Sequence, residues 1–361
     1  MTDGSPTLAR IKRANPALMR SWLKRRAQTA LARSGYLITK LDEESIRYVA
    51  PSYNGDVPLP VGAEEALQPD HPRLSELRAA YDALDTPAAV HTQWRDSFLK
   101  KNLSLAWFRG DNAYVWQLRL HRGSADARNY LSLLDVESRD KLGLLGRLQE
   151  DGLFGAWTFR FGSRPAVSRD LLDSVNEINY LDAQMGLSTI EDLTVLDIGA
   201  GYGRLAHRMS ESLPNLVRYD CTDGVAVSTF LCEYYTNFRG ITETVRVVPL
   251  TDVATLAERY HVAVNIHSFS ECSLAAIEWW LDRMAERDVE WLLIVPNTVG
   301  ELLSTELDGS RRDYRPPIEA RGYELVDRRP IYQNDELREL IGLDDEFLLF
   351  RRRLSPDGRE R

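Results

Sequence analysis

A glycine-rich turn follows an apolar segment near the middle of the chain, in the sequence V-L-D-I-G-A-G-Y-G-R that ends at Arg204. Gly199, Gly201 and Gly203 can take positive φ without steric cost, so backbone amides can approach a ligand closely. The dinucleotide pattern G-x-G-x-x-G needs its third glycine where this chain has Arg204. Asp197, at the mouth of the turn, would repel a pyrophosphate but attract a cationic amino-acid and sulfonium group. The turn therefore favours S-adenosylmethionine over a nicotinamide dinucleotide.

A second cofactor contact is expected from an acid at the end of the next strand, where it accepts hydrogen bonds from ribose hydroxyls. Asp220 belongs to the alternating body of that strand, whereas Asp223 precedes Gly224 and a helix, so Asp223 is favoured. Its alternative role is to cap the helix, and both roles can coexist. Asp252 is expected beside the adenine, again with a helix cap as its alternative. The full predicted cofactor set is Asp197, Gly199, Ala200, Gly201, Gly203, Arg204, Asp223, Gly224, Asp252 and His267.

The catalytic candidates are His267 and Glu271, in the segment A-V-N-I-H-S-F-S-E-C-S that ends the fourth predicted strand. Methyl transfer is an in-line displacement, so the protein must align a nucleophile and remove its proton. His267 is the best general-base candidate, with a purely structural imidazole as the alternative. Glu271 is either a rival base, a partner that orients the imidazole, or an acid favoured by a helix start. Asn297 lines the same cleft or belongs to an ordinary turn.

Metal ligation is not required by the sequence. Asp223, Asp252, Glu271 and Asn297 offer oxygen donors that suit Mg²⁺, but no spacing among them demands a metal, so no metal ligands are assigned. Three cysteines at scattered positions favour neither a disulfide framework nor a zinc site. A reducing, cytoplasmic location follows as the default.

Strand and helix patterns alternate from Val167 onward, which predicts a parallel sheet covered on both faces. The predicted strands are Thr194–Ile198, Leu216–Thr222, Val245–Pro249, Val262–Ile266, Trp291–Val295, Gly322–Arg328 and Glu346–Arg353. The predicted helices are Asp170–Met185, Arg204–Ser212, Val225–Asn237, Ala254–Tyr260 and Leu274–Arg287. Ligands of such sheets bind outside the carboxyl ends of the strands, where the strand order reverses.

Composition divides the chain of 361 residues into three predicted parts: a basic amphipathic helix over 1–45, an accessory and acceptor-binding region over 46–165, and a cofactor-binding domain over 166–361. The net charge is −9, yet residues 1–40 carry nine Lys or Arg against one acid. This basic helix either packs on the acidic body or makes peripheral contact with the inner face of a membrane. The acidic remainder argues against a nucleic-acid partner.

Aromatic and polar side chains cluster in the accessory region, where two apolar segments over 103–122 are separated by a turn at Gly110 to Asn112. Such a set suits a sugar, whose C–H face stacks and whose hydroxyls need hydrogen bonds. A buried core with a polar turn is the alternative, favoured for Trp107 and Trp116. The set comprises Trp94, Arg95, Trp107, Phe108, Arg109, Asp111, Asn112, Tyr114 and Trp116.

Together these motifs resemble the bacterial family of sugar O-methyltransferases, which are class I S-adenosylmethionine-dependent enzymes. The resemblance extends over about Ser168 to Phe350, through V-L-D-I-G-A-G-Y-G-R-L-A-H-R, C-T-D-G-V-A-V-S-T-F-L-C-E-Y-Y, N-I-H-S-F-S-E-C-S and L-L-I-V-P-N; F-R-G-D-N-A-Y-V-W-Q extends it into the first half. It implies an α/β, doubly wound, Rossmann-like sheet of seven strands with a terminal antiparallel hairpin and a mostly helical N-terminal accessory region. It also implies methyl transfer to a hydroxyl of a sugar or glycoconjugate, including a lipid-linked one. The alternatives are a non-sugar hydroxyl acceptor, or a cofactor-binding scaffold without transferase activity.

Overall fold

Seven strands form one mixed sheet in this computed structural model, which describes residues 53–115, 125–297, 300–341 and 343–353. The strands are β1 (Leu193–Ile198), β2 (Leu216–Thr222), β3 (Val245–Val247), β4 (Val262–Ile266), β5 (Trp291–Val295), β6 (Tyr323–Pro330) and β7 (Glu346–Arg352). Their order is β3-β2-β1-β4-β5-β7-β6, and β7 is antiparallel to both neighbours. This order is that of the class I methyltransferase variant of the doubly wound fold, and it confirms the predicted fold class.

Helices cover both faces of the sheet. They are α1 (Ala63–Ala66), α2 (Pro72–Asp82), α3 (Asp96–Asn102), α4 (Ala125–Arg139), α5 (Arg169–Met185), α6 (Arg204–Ser212), α7 (Ala226–Arg239), α8 (Leu274–Glu286), α9 (Arg315–Ala320) and α10 (Asp335–Ile341). Helices α2, α7 and α8 contribute to one buried core, and α4, α5 and α6 contribute to the other. Successive side chains of β1 enter opposite cores, as the pleat of a strand requires: Val195 joins the second core and Leu196 the first.

The carboxyl ends of the parallel strands meet at one edge of the sheet, and the strand order reverses between β1 and β4. A crevice at this position is the usual ligand site of an open α/β sheet. Because β7 runs antiparallel, it begins at the edge where the parallel strands end. The chain just before Glu346 therefore reaches the same crevice as the glycine turn after β1.

The prediction of a helix over Ala254–Tyr260 is wrong. Residues Leu250–Thr255 form a 3₁₀ segment, and the chain then continues to β4 without a helix. An α-helix would use Ala257 N as a donor to the carbonyl of Val253, but this amide donates to Tyr260 Oη at 2.8 Å instead. The strand β3 also ends earlier than predicted, before Pro249, which has no N–H to donate.

The region from Leu103 to Val115, where the sequence predicts two apolar segments separated by a turn at Gly110 to Asn112, forms successive turns. The side chain of Asn112 holds these turns together. Its amide donates to the carbonyls of Phe108 and Gly110, and its Oδ1 accepts from Tyr114 N at 2.7 Å. The polar turn is thus internally satisfied, and Asn112 is buried.

Two features predicted from the sequence lie outside the described residues, namely the basic segment over 1–40 and Trp116. Membrane contact through residues 1–40 therefore stays a prediction. No helix within the described ranges combines the length and the apolar character needed to cross a membrane.

A buried ionic network joins the accessory region to the sheet domain. Arg109 is 1% exposed and donates to both oxygens of Asp170, with Nη2–Oδ2 at 2.9 Å, and to Glu150, with Nη2–Oε2 at 2.8 Å. Burial alone would raise the pKa of Asp170, but Arg109 and Arg208 lower it well below its usual range. Tyr202, in the glycine turn, donates to Asp170 Oδ2 at 2.8 Å. The network therefore links the glycine turn, through Tyr202 and Asp170, to Arg109 in the accessory region.

We expect Arg109→Met to lower the free energy of unfolding by about 3–5 kcal/mol, because it removes the cation that bonds both oxygens of the buried Asp170 and leaves Glu150 with Arg208 alone. Urea denaturation followed by circular dichroism measures this loss. The control is Arg164→Met, whose ion pair with Glu137 is exposed, and we expect its urea midpoint to stay nearly unchanged. Equal midpoints for both variants would contradict the role given to Arg109.

Candidate active site

A cavity of about 450 Å³ opens at the carboxyl edge of the sheet. This volume lies in the range typical of sites for small molecules. Its walls come from the ends of β1, β2, β4 and β5, from one face of α5, from residues 88–94 and 113–115, and from the chain beside β6 and β7. Of the predicted cofactor residues, Asp197, Gly199, Ala200, Gly201, Arg204, Asp223, Gly224 and His267 line it.

The glycine turn needs its glycines for two reasons. Gly199 and Gly201 have φ of +81° and +58°, which favour residues without a side chain. A Cβ at Gly199 would also lie 2.2 Å from the Oγ of Ser268, and one at Gly201 would lie 3.3 Å from Tyr114. Gly203 precedes α6 and packs against Cys232 outside the cavity lining, so the structure places it in helix packing.

Asp223 stands at the end of β2 and bridges the two loops that enclose the cavity. Its Oδ2 accepts from Gly201 N at 3.1 Å and its Oδ1 accepts from Val225 N at 2.8 Å. Burial raises the pKa of this carboxyl to about 7, against the lowering effect of these amides. An ionised carboxylate can accept about four hydrogen bonds, so Asp223 retains capacity to accept from a ligand hydroxyl. Asp220, its rival in the sequence, is buried against Arg218 and Tyr260 and does not line the cavity.

Asp197 faces the cavity from the end of β1 and is 5% exposed. It accepts from the hydroxyl of Tyr219 at 2.7 Å, and burial raises its pKa to about 7. A cationic ligand group would favour its ionised form. Arg204 also lines the cavity, but both of its terminal nitrogens donate to Glu177 at 2.9 Å. Its charge is therefore already paired within the protein.

The accessory region closes the cavity over the glycine turn. The carbonyl oxygen of Ala88 lies 2.5 Å from the position of a Cβ on Gly224, so this approach requires glycine. Trp94 and Tyr114 stack with ring centroids 5.2 Å apart, and the Tyr114 hydroxyl hydrogen-bonds Ser228 at 2.9 Å. Trp94 and Tyr114 are the members of the predicted aromatic and polar set that line the cavity, among those described.

The other described members of that set have structural partners or lie at the surface. Arg109 is held by acids, Phe108 and Asn112 are buried, and Trp107 stacks on Tyr53 with centroids 4.2 Å apart. Asp111 is also buried, and Arg95 is exposed. The alternative of a buried core with a polar turn therefore describes most of this region.

Glu271 anchors residues 92–94 of the accessory region to the sheet. Trp94 Nε1 donates to its Oε2 at 2.6 Å, while Gln93 Nε2 and Asn297 Nδ2 donate to its Oε1 at 3.1 and 3.2 Å. Thr92 Oγ1 donates to its backbone carbonyl at 2.6 Å. Burial raises the pKa of the Glu271 carboxyl although these donors favour its ionised form. Because three side chains already donate to it, the Glu271 carboxylate is less available to a substrate hydroxyl than a free carboxylate would be.

His267 begins the loop after β4 with φ of +65°, an uncommon value for a residue with a side chain. Its backbone N–H donates to the carbonyl of Val295, at the end of β5, at 2.7 Å. Within the described residues the buried Nδ1 has no hydrogen-bond partner, and Nε2 lies 3.9 Å from Oδ2 of Asp345. The imidazole therefore lines the cavity, although its unpartnered nitrogen Nδ1 is buried.

Asp252 lies outside the cavity and is exposed, so the structure does not bring it to the other predicted cofactor residues. The four oxygen donors considered for Mg²⁺ are not gathered at one point, since Asp252 is remote from the lining. No group of three or more His, Cys, Asp or Glu residues in the described ranges has an arrangement that could hold a metal ion.

Sequence reasoning did not find Glu177, Ser268 or Asp345, which also line the cavity. For Asp345 a signal exists in the sequence: an acid directly before the last strand must lie at the carboxyl edge if that strand is antiparallel. Glu177 lies on the long helix α5. The sequence alone does not show which face of that helix lines the cavity.

A scan against protein-family models and a search of curated proteins found no match. Among solved structures, the chain is similar to the [4+2]-cyclase SpnF, with 13% identity and a TM-score of 0.39 over 63% of this chain and 97% of that one. It is also similar to a SAM-dependent methyltransferase from Leishmania major, with 13% identity and a TM-score of 0.39 over 61% and 83%. The mitomycin 7-O-methyltransferase MmcR shares 16% identity and a TM-score of 0.35 over 50% and 57%. Identities and TM-scores this low support no conclusion about function. The fold class is assigned from the observed strand order.

The dissociation constant for S-adenosylhomocysteine should rise about tenfold between pH 8 and pH 6. A carboxyl group with a pKa of about 7 passes over that interval from mostly ionised to mostly protonated, so it loses the charge that strengthens hydrogen bonds from a diol and one of its oxygens becomes a donor. Isothermal titration calorimetry at the two pH values measures the change. Asp223→Asn should bind more weakly at pH 8 and depend less on pH, while Asp252→Asn should behave as wild type. A pH-independent wild-type affinity would contradict the role of Asp223.

Proposed function

We propose that the protein is an S-adenosylmethionine-dependent O-methyltransferase that acts on a hydroxyl of a sugar or glycoconjugate. The single observation that carries this proposal is the buried Asp223 carboxylate, bonded to Gly201 N at the rim of a cavity that also contains His267. Asp223 and the glycine turn would hold the ribose and the amino-acid end of the cofactor, with Asp197 near its cationic groups. The chemistry of these donors fits that cofactor.

The acceptor part of the proposal is supported by the polar groups around His267. Glu271, Asn297 and Asp345 line the cavity there, and the ring of Trp94 adds an apolar face. Hydrogen-bonding groups beside an aromatic ring suit a polyhydroxylated acceptor. Bound S-adenosylmethionine supplies an electrophilic methyl group with a thioether leaving group. His267 accepts the proton of the attacking hydroxyl, and Asn297 and Glu271 help to fix the wall against which the acceptor lies.

Gly201→Val should abolish detectable binding of S-adenosylhomocysteine, because a branched side chain at φ of +58° is strained and would meet Tyr114. Calorimetry with the purified variant tests this. The control is Gly162→Val, which has a similar φ of +62° but no atom within 4 Å of its Cβ position, and it should bind normally. Unchanged affinity in Gly201→Val would remove the cofactor from this turn.

His267→Ala should reduce the turnover number at least ~100-fold, the scale of a lost general base, and leave the affinity for S-adenosylhomocysteine intact. His261→Ala is the control, since His261 lies before β4 at the opposite edge of the sheet and contacts Thr194. Methyl transfer to a panel of neutral sugars, glycosylated metabolites and lipid-linked glycans provides the assay. Tight cofactor binding without transfer to any sugar or other hydroxyl would favour the alternative of a cofactor-binding scaffold.

A further inference from the structure

We propose that the acceptor is an uncharged glycoside with an apolar aglycone, and that the aglycone binds in the half of the cavity beside β7. The same half excludes sugars that carry a phosphate group, including nucleotide sugars. This inference rests on the proposed function and deepens it, because it names the class of acceptor and the side chains that select it.

The cavity extends along the carboxyl edge of the sheet, and its two halves have different linings. The groups assigned to the cofactor, Asp223 and the glycine turn, follow β2 and β1. On the other side of the strand-order reversal, the lining beside β4, β5 and β7 is largely apolar. We call this surface the apolar wall; it comprises Ile266, Val295, Ile331, Tyr332, Leu343 and Phe347.

The apolar wall is continuous with the position of His267. Ile266 directly precedes this residue and pairs with Val295 in the sheet, and His267 N donates to the carbonyl of Val295 at 2.7 Å. From the terminal hairpin, Ile331 N donates to the carbonyl of Asp345 at 2.9 Å, and the carboxylate of Asp345 lies 3.9 Å from His267 Nε2. A sugar whose hydroxyl reaches His267 therefore has the apolar wall beside it.

The apolar wall is formed before any ligand binds. Four of its members belong to the second buried core, which fixes their side chains. Ile266 and Ile331 pack against that core and are partly exposed, so they are the members that a ligand can cover. Burial of apolar surface against a rigid wall favours an apolar ligand group and costs little ordering of the protein.

The arginines of the cavity already have acidic partners. Among the described lining residues, the side chains with a permanent positive charge are Arg169 and Arg204. Both terminal nitrogens of Arg204 donate to Glu177 at 2.9 Å, and Arg169 Nε lies 3.3 Å from Asp173 Oδ2. A phosphate group would therefore have to compete with these carboxylates for its cations.

Acids outnumber these two arginines in the described lining. Asp345 adds its carboxylate directly beside the apolar wall, where a phosphate on the acceptor would approach it. Like charges repel strongly in a cavity with little water, so a phosphorylated sugar is disfavoured there. An ammonium group is disfavoured against the wall itself, which offers no hydrogen bonds to replace its hydration. The lining acids are Asp170, Asp173, Glu177, Asp197, Asp223, Glu271 and Asp345.

Isothermal titration calorimetry on the protein saturated with S-adenosylhomocysteine tests this selection. For each hexose of a panel, the p-nitrophenyl glycoside, the methyl glycoside and the 1-phosphate are compared. We expect a hexose whose p-nitrophenyl glycoside binds at least ~10-fold more tightly than its methyl glycoside, because the aryl ring buries additional apolar surface. No 1-phosphate of the panel should bind detectably.

Ile331→Asn tests the apolar wall directly. It should weaken binding of the p-nitrophenyl glycoside about tenfold and leave the affinities for the methyl glycoside and S-adenosylhomocysteine unchanged. The matched control is Val326→Asn, because Val326 lies on β6, is 50% exposed and is not part of the cavity lining. Unchanged affinity for S-adenosylhomocysteine shows that the variant is folded, and the smaller change Ile331→Thr serves if Ile331→Asn is not.

Asp345→Lys tests the exclusion of phosphate. It replaces an acid beside the wall by a cation, so the 1-phosphate of the preferred hexose should now bind detectably. Asp344→Lys is the control, since the side chain of Asp344 is 67% exposed and lies near Arg338, and it should give no such binding. Equal behaviour of the two variants would contradict an electrostatic exclusion at the wall.

The outcomes separate this inference from the proposed function. Methyl transfer to a phosphorylated or nucleotide sugar in preference to the p-nitrophenyl glycoside would overturn the inference and leave the methyltransferase in place. Equal binding of p-nitrophenyl and methyl glycosides would also overturn it. Selective binding of a p-nitrophenyl glycoside without any methyl transfer would count against the proposed function, and the assignment of the apolar wall would stand.

Discussion

The geometry at the carboxyl edge of the sheet depends on one buried cation, the guanidinium of Arg109. A charge with 1% exposure is tolerated only when acids satisfy its donors, and here Asp170 and Glu150 do so. Asp170 also accepts from Tyr202, so the same network that neutralises Arg109 sets the position of the glycine turn. Arg109 and the glycine turn can therefore not move independently without leaving charges buried and unpaired.

The topology of the sheet determines which side chains meet in the cavity at its carboxyl edge. Parallel strands bring Asp197, Asp223 and His267 to one edge because each follows or ends a strand that points the same way. The antiparallel β7 adds Asp345, which comes before its strand instead of after it. Residues separated by more than a hundred positions are thus gathered by strand direction alone.

Much of this could be predicted from the sequence because the central strands are short apolar runs bounded by turn residues, and β4 and β5 were predicted with their observed limits. Local patterns failed where a side chain takes over a backbone hydrogen bond of a helix, as the Tyr260 hydroxyl does at Ala257 N. They also failed for the aromatic and polar set near Arg109, since composition cannot distinguish a sugar-binding surface from a core with buried ion pairs. Asp345 was missed although it directly precedes the last predicted strand, because its place at the cavity follows from the antiparallel direction of β7.

The carboxylates of the cavity show how environment assigns different roles to one chemical group. Glu271 accepts from three side chains and holds residues 92–94 against the sheet, whereas the carboxylate of Asp345 lies 3.9 Å from the imidazole of His267. Asp197 and Asp223 are buried without an adjacent cation bonded to them, which raises the pKa of each to about 7. Both would ionise more readily beside a sulfonium or ammonium group, or when a diol donates to them. Binding of a ligand with such groups at this site would therefore release protons, and it would offset part of the free energy needed to bury the two acids.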